Sequence, residues 1–562
     1  MPNIPTLHIA EYQSFTQGDI ESCFRNLGLD SAKCSQKAQK IFEELQEFVK
    51  QEGNGKFLCF SGRGTLKAQN YVGLIQTKSG FCVEILPKTF AGNNPANKDF
   101  AHDLCEYHKS GKGKASQKVF DKAPFSTKVA DFVESIAQGE LWDGGVPHRS
   151  GVDSKDNAES SSETKNPQSP IACPICESKQ ILLNCLATLR RDIPFEASHI
   201  ASLHTLKTPL LEIFVLMFVR ECESLLHKGL KIDYLEIAQN RAFLKGKLLF
   251  NGQIRHNLVH KERFFTSSDE YSSDTAPNRL IKATLELLHT LLVSPKTRTR
   301  LDCVYFAFED ISPSRHIESD FAKCQNMRRL REYKCILAWC ALFLRQKSFS
   351  AYSGSTQAFA LLFPMEQLFE SFVAHWIARS ARESRQNYQV RCQEKVKRFM
   401  VEILKDTPTQ RIEELIANGL SRRDNEAFAL QPDIVLRGVG ENKGAIAILD
   451  TKWKIPDTSN DEKRYGISQS DVYQMWAYAS KYARECPQST ESSDSLRSHI
   501  TTWLIYPLCA RTKEVQGKRW FFKASLPPDT ANDTTKNASD NAPTNTGKLV
   551  SLNIVFFPLL QG

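Results

Sequence analysis

The stretch QPDIVLRGVGENKGAIAILDTKWK, Gln431 to Lys454, puts a carboxylate and an ammonium where an apolar strand ordinarily hands over to a turn residue. Its second half is the apolar run Ala445-Ile-Ala-Ile-Leu449, followed at once by Asp450, Thr451, Lys452, Trp453 and Lys454. Side chains alternate faces along a strand, so Asp450 and Lys452 point to the same side. Ile446 and Ile448 share that parity, and Asp450 comes where the strand leaves the core. Asp433 follows Pro432 at the start of DIVLR, and proline is tolerated at the first position of a strand. The loop Gly438 to Gly444 can return the chain so that the two strands pair antiparallel. Asp433, at the beginning of one strand, and Asp450, at the end of the next, are then neighbours. Two convergent carboxylates suit a hard divalent cation such as Mg²⁺, which takes oxygen ligands and keeps several waters. A nearby lysine can orient the attacking water or offset charge on a phosphoryl oxygen. In outline this is metal-assisted phosphodiester hydrolysis. A PD…DxK pattern is short, however, and a solvated hairpin with idle end charges has the same sequence.

Two features outside the hairpin extend the pattern. Glu370 lies in the preceding helical stretch FPMEQLFESFVAHWIARSARES, where Leu368, Phe369, Phe372 and Val373 form an apolar stripe behind Pro364. Downstream, Gln474 and Tyr478 are four residues apart and so share one helix face, on a helix that also carries Asp471, Tyr473 and Trp476. Polar and aromatic groups on one face can lie along a nucleic-acid backbone. A core-facing tyrosine beside a surface glutamine is the plainer account of that pair.

The chain has 562 residues, beyond the size at which a single core keeps growing, so two or three domains are expected. Its 41% apolar and 24% charged residues are ordinary for a globular protein, and a formal charge of +9 permits nucleic-acid binding without demanding it. Sixteen scattered cysteines form no dense framework, the N-terminus lacks a basic start and an apolar run, and the longest apolar run, Pro209 to Val219, contains Glu212. The expectation is a reduced, cytoplasmic, soluble chain with no membrane segment.

Two polar segments, Gly144 to Pro170 and Pro527 to Lys548, contain too little apolar surface to order themselves and read as linkers or insertions. Before the first, KFLCFSG (Lys56 to Gly62) and YVGLIQTKSGFCVEILPK (Tyr71 to Lys88) read as strands, the latter as a hairpin turning at Lys78-Ser79-Gly80. After it helices take over: Pro209 to Gly229, with Gly229 as the stop, Asn278 to Leu292, and Arg328 to Gln346. The last third reads α-β-β-α-β-β, ending in the strands HITTWLIYPL and LVSLNIVFFPLL, which fits a mixed sheet with flanking helices.

FPMEQLFESFVA, QPDIVL, AILDTKWK and DVYQMWAYA, in this order, resemble the nuclease region of the McrC family. McrC is the endonuclease subunit of McrBC modification-dependent (5-methylcytosine) restriction systems, within the PD-(D/E)XK superfamily. YVGLIQTKSGFCVEILPK resembles that family's N-terminal hairpin, and Phe243 to Leu258 and Asp269 to Leu285 resemble its middle region. The resemblance implies an α/β fold with a C-terminal PD-(D/E)XK restriction-endonuclease-like domain (351–562, with the 527–548 insertion). A β-rich module (1–143), a linker (144–172) and a mainly helical, partner-docking region (173–350) precede it. It implies Asp433 and Asp450 as Mg²⁺ ligands, Lys452 as the residue that positions or activates water, and Glu370 as an acidic residue assisting metal binding. Gln474 and Tyr478 match an auxiliary helix motif of some branches of the superfamily. It also implies double-stranded DNA as substrate and an McrB-like AAA+ GTPase ring as partner, with GTP bound there. This chain has no G-x-x-x-x-G-K-[ST] loop of its own, since SGRGTLK and SGKGKASQK lack the spacing. A RecB-like repair nuclease would carry the same QxxxY pair, and a catalytically silent DNA-binding adaptor is the rival outside enzymes. Separately, Cys173 and Cys176 with His199 and His204 can bind zinc tetrahedrally. The long gap from Cys176 to His199 counts against it, and ASHIASLHT reads equally as helix surface. Cys185 and the remaining cysteines are expected to be small core residues.

Overall fold

The computed structural model describes residues 5–25, 31–90, 174–189, 208–325, 332–345, 358–383, 388–393, 396–401, 426–439, 446–456, 466–482, 500–508, 519–521, 550–557 and 559. The two polar segments, and Cys173, His199 and His204 of the zinc reading, lie outside these residues. The chain divides into two units, Met1–Asp103 with Cys173–Pro364, and Leu104–Ala172 with Met365–Gly562.

The first unit is built on a four-stranded sheet in the order β1 (Thr6–Ala10), β6 (Cys82–Leu86), β5 (Tyr71–Gln76), β10 (Phe359–Pro364), with β1 and β6 parallel and the other pairs antiparallel. The β5–β6 hairpin closes through Thr77 N donating to Phe81 O at 2.9 Å, as the Lys78-Ser79-Gly80 turn requires. Beside it, β2 (Ser14–Thr16), β4 (Thr65–Ala68) and β3 (Leu58–Gly62) form a second small sheet. Leu7, Ile9, Ile75, Val83 and Ile85 point to one face of the main sheet and share a core with α2 (Ser31–Lys50). That helix contributes Ala38, Ile41, Phe42, Leu45 and Phe48, the three-and-four spacing of a helix stripe, behind the short α1 (Gln17–Arg25). The remaining helices of the unit are α3 (Pro174–Ala187), α4 (Leu210–Lys228), α6 (Ala276–Thr290), α7 (Pro295–Ala307), α8 (Ile317–Gln325) and α9 (Lys334–Arg345). Helix α4 ends where expected: Gly229 takes φ 91°, outside the range a side chain tolerates, and its N–H donates to Leu226 O at 3.2 Å. Cys176 and Cys185 are both buried on α3.

The helical reading of the middle region lacks one element. β7 (Asp233–Arg241), β9 (Phe264–Ser272) and β8 (Lys247–Leu248) form a three-stranded sheet carrying the short helix α5 (Phe250–Asn257). Its strands are polar, as in FFTSSDEYS, and contain no apolar run that marks a strand by pattern. Helix α5 lies close on β9: a Cβ at Gly252 would come within 2.2 Å of the Phe265 ring, and His256 stacks on that ring at 5.0 Å.

The second unit is a mixed six-stranded sheet in the order β11 (Tyr388–Cys392), β14 (Ile434–Gly438), β15 (Ile446–Thr451), β16 (Ile500–Pro507), β18 (Val550–Phe557), β17 (Arg519–Phe521). β15, β16 and β18 run parallel, and β11, β14 and β17 pair antiparallel to their neighbours. Helix α11 (Gln469–Tyr482) makes the crossover from β15 to β16 and shares a core with Ile446, Ile448, Leu504, Tyr506 and Phe556. Helix α10 (Met365–Glu383) meets Trp453 and Phe557 through Phe369 and Phe372, at ring separations of 5.3 and 6.0 Å. The two helices thus take opposite faces. All six elements of the α-β-β-α-β-β reading are present, together with β11, β17 and the hairpin β12 (Val396–Val401)–β13 (Glu426–Leu430), which the sequence reading lacks. β11 and β17 are edge strands, as short as RWF, where less burial is demanded and the apolar signal is correspondingly weak.

Candidate active site

The site forms where β15 ends and the chain departs for α11, the end of a parallel strand at which open α/β sheets place ligands. The register of β14 on β15 pairs Ile434 with Leu449, so one further step sets Asp433 opposite Asp450. Asp433 is fixed from across the hairpin: its Oδ2 accepts from Thr451 N at 2.7 Å and from Thr451 Oγ1 at 2.6 Å. Among the described residues this leaves Oδ1 for another partner. Asp450 is only 2% exposed, deeper than the expected departure from the core, because β15 is an interior strand covered by α11. Its Oδ2 touches the Lys452 ammonium but, among the described residues, accepts no well-directed hydrogen bond.

Electrostatics follow from this placement. Burial pushes Asp450 up to about 7, the facing Asp433 adds to the rise, and Lys452 opposes it. Asp433 is also raised, since burial outweighs the two bonds from Thr451. Burial works against the charge of Lys452, but contact with Asp450, helped by Asp433 and Asp471, raises it above the ordinary lysine value. The lysine is therefore a cation, and two carboxylates compete for it. A buried acceptor with no directed bond, facing a second carboxylate with a spare oxygen, is the donor set a hard cation satisfies.

Gln474 Oε1 accepts from Lys452 Nζ at 2.8 Å, Gln474 Nε2 donates to Tyr478 Oη at 2.7 Å, and Tyr478 Oη donates to Gln431 O at 3.2 Å. Glu370 enters from α10: its Oε1 accepts from Gln393 Nε2 at 2.7 Å, and Gln393 N donates to Asp433 O at 2.8 Å. Glu370 is thus joined to the pair through Gln393. Among the described residues, no three His, Cys, Asp or Glu side chains gather as a metal-holding group. Around the pair, Asp471 is buried in the first turn of α11 and accepts from Lys454 Nζ at 2.9 Å on both oxygens. Tyr506 Oη donates to Asp471 Oδ2 at 3.4 Å.

Sequence reasoning missed Thr451, Gln393, Lys454 and Tyr506. Thr451 stands beside Asp450 in the opening stretch, yet a threonine in a strand is unremarkable by type. Gln393 takes φ 47°, a left-handed conformation that no glycine or asparagine announces.

Fold and site together define a mixed α/β protein with a facing carboxylate pair and a lysine at the end of an interior strand. The chain belongs to the McrBC 5-methylcytosine restriction system component family, whose model matches residues 66–507 and so spans both units and all six site residues singled out by sequence. No curated protein matches it. Among solved structures it is similar to a chain of a refined half-complex from a tetradecameric assembly of Thermococcus gammatolerans McrB AAA+ hexamers with bound McrC, at 14% identity and TM-score 0.48, covering 98% of this chain and 95% of that one. It is also similar to a chain of the Thermococcus gammatolerans McrBC complex, at 16% identity and TM-score 0.32, covering 66% of this chain and 87% of that one. No helix among the described residues is long and apolar enough to cross a membrane.

Proposed function

We propose that this chain is the DNA-cutting subunit of a McrBC-like, modification-dependent restriction system, with a PD-(D/E)XK nuclease domain in its second unit. The observation that carries the reading is the facing pair Asp433 and Asp450 with the Lys452 ammonium against it. Asp433 and Asp450 would hold Mg²⁺ between them. Thr451 keeps Asp433 from turning away, and Glu370 steadies the Asp433 end through Gln393. Bound Mg²⁺ supplies Lewis-acid polarisation of the scissile phosphate and a more acidic water. Lys452 donates to the phosphoryl oxygen on which negative charge builds, inside a site sheltered enough for that interaction to be strong.

The test is cleavage of methylated and unmethylated DNA with Mg²⁺, with and without GTP and an AAA+ partner, comparing wild type with Asp450→Ala. Cutting that needs methylation, partner and GTP, and that Asp450→Ala abolishes, is expected. Cutting by the chain alone, indifferent to GTP, would point to a RecB-like repair nuclease, and DNA binding without cutting to a silent adaptor.

We assign docking on the AAA+ ring to the middle sheet of the first unit. Phe250 and Ile254 on α5 and Leu258, its C-cap, recur every fourth residue and are 71%, 63% and 72% exposed, while Gly252 and His256 face β9. Exposed apolar stripes of this kind mark interaction surfaces. Ile254→Asp is therefore expected to weaken ring binding about 10-fold or more and to reduce GTPase stimulation correspondingly. Thermal unfolding of this variant should match wild type. Unchanged ring affinity, read by fluorescence anisotropy, would remove the assignment.

A further inference from the structure

We propose that Gln474 and Tyr478 are positioning residues for the Lys452 amine rather than contacts to nucleic acid. The meaning of the proposal rests on the nuclease reading, but its geometry does not. Tyr478 is 3% exposed, too enclosed to lie along a DNA backbone. The hydrogen bonds also have a forced polarity. Gln431 O can only accept, so the Tyr478 hydroxyl must donate to it. The hydroxyl oxygen is then left to accept from Gln474 Nε2. That choice turns Gln474 Oε1 toward Lys452, whose ammonium has donors only. The phenol retains its proton, since burial and the nearby Asp450 raise its pKa.

Helical spacing makes the arrangement possible, because residues four apart on α11 stack on one face. The chain of bonds begins two residues before Asp433, at Gln431, and ends on the lysine that touches Asp450. Helix α11 is therefore fastened to the chain just before β14 and just after β15. Among the described residues Lys452 Nζ donates to Gln474 Oε1 and lies against Asp450 Oδ2 as an ion pair. Of its three N–H groups one is directed at Gln474, which orients the others toward the carboxylate pair and the substrate side. Loss of the tyrosine hydroxyl would free the Gln474 amide to flip and present its NH₂ to the ammonium.

The experiment uses the full chain and the variants Tyr478→Phe, Gln474→Met and Gln474→Glu. Acylation of the Lys452 amine by acetic anhydride, followed by mass spectrometry, reports on the lysine without requiring catalysis. Acylation is expected several-fold faster in Tyr478→Phe and Gln474→Met, and near the wild-type rate in Gln474→Glu, which keeps an oxygen for the lysine. The saturated cutting rate should fall roughly 10–100-fold in the first two variants, with KM and Ca²⁺-supported DNA affinity unchanged and much of the rate kept by Gln474→Glu. Unchanged Lys452 acylation would overturn the proposal. So would weakened DNA binding with the saturated rate intact, which is the signature of a nucleic-acid contact. If acylation changes as expected but wild type cuts no DNA under any condition, the positioning role stands and the nuclease reading fails.

Discussion

Asp450→Asn is expected to make the second unit more stable than wild type in metal-free buffer at pH 8, and to remove its stabilisation by Mg²⁺. The sign follows from the raised carboxyl. Burial, then Asp433, moves Asp450 from 3.8 to about 7 in the folded protein. Between those values the folded state keeps a proton that the unfolded state has released, so stability falls as pH rises through this window and levels off above about 7. Every tenfold difference in proton affinity between the two states is worth about 1.4 kcal/mol, which makes the cost of carrying the ionised, metal-free pair on the order of a few kcal/mol. Asparagine has the shape of the neutral acid and no such slope. A divalent cation reverses the balance for wild type, because a ligand that binds only the folded state stabilises it in proportion to the logarithm of its excess over Kd. Calorimetric scans at pH 5 and pH 8, with and without Mg²⁺, should show a wild-type transition that moves with both variables and an Asn variant that responds much less to each, Asp433 alone being left to titrate. DNA cutting should fall roughly 10²–10³-fold or more. An Asp450→Asn protein that still responds to Mg²⁺ as wild type does would mean that the cation is held elsewhere.

That prediction draws on the part of the site most legible in the sequence. Asp433, Asp450 and Lys452 lie within a 24-residue hairpin. Period-two alternation and antiparallel return are local rules, and they place the three groups together without knowledge of the rest of the fold. Legibility ends where placement depends on distant chain. Gln474 and Tyr478 are visible as an i, i+4 pair, but their target is set by the β15–α11–β16 crossover, which turns them toward Lys452. Gln393 connects Glu370 to Asp433 only because one glutamine adopts a left-handed backbone. The same division holds for the fold. Long apolar helices such as α4 announce themselves, whereas the sheet of β7, β8 and β9 is polar and has no apolar run to mark its strands.

In the first unit the clearest case of a distant partner is Glu84, and its removal should have the largest effect on stability. A glutamate in the middle of CVEIL interrupts an otherwise apolar strand, and β6 is buried along its whole length. Glu84 is 1% exposed, and its Oε2 lies 3.2 Å from His8 Nε2 and 3.3 Å from Lys179 Nζ, while its Oε1 accepts from Leu210 N at 2.6 Å. One carboxylate thus binds β1, α3 and the first turn of α4, whose unpaired N–H groups favour an anion. Burial opposes the charge, but Lys179, His8 and the Leu210 N–H outweigh it and hold the carboxyl down at about 2. The lowered value contributes stability above about 4.5 that is lost as pH falls toward 2. Glu84→Met strands the buried Lys179 ammonium with, among the described residues, Thr208 O at 2.7 Å, and should cost about 3–5 kcal/mol. The pair Glu84→Met with Lys179→Met should cost less than Glu84→Met alone, because the uncompensated charge is gone even though Leu210 N and Thr208 O lose their partners. Urea unfolding followed by tryptophan fluorescence, through Trp339 in this unit's core, would measure both. Costs that simply add would mean that Glu84 and Lys179 do not act as a pair, whereas a double variant more stable than the single one assigns the interruption in CVEIL to a buried charge matched across the chain.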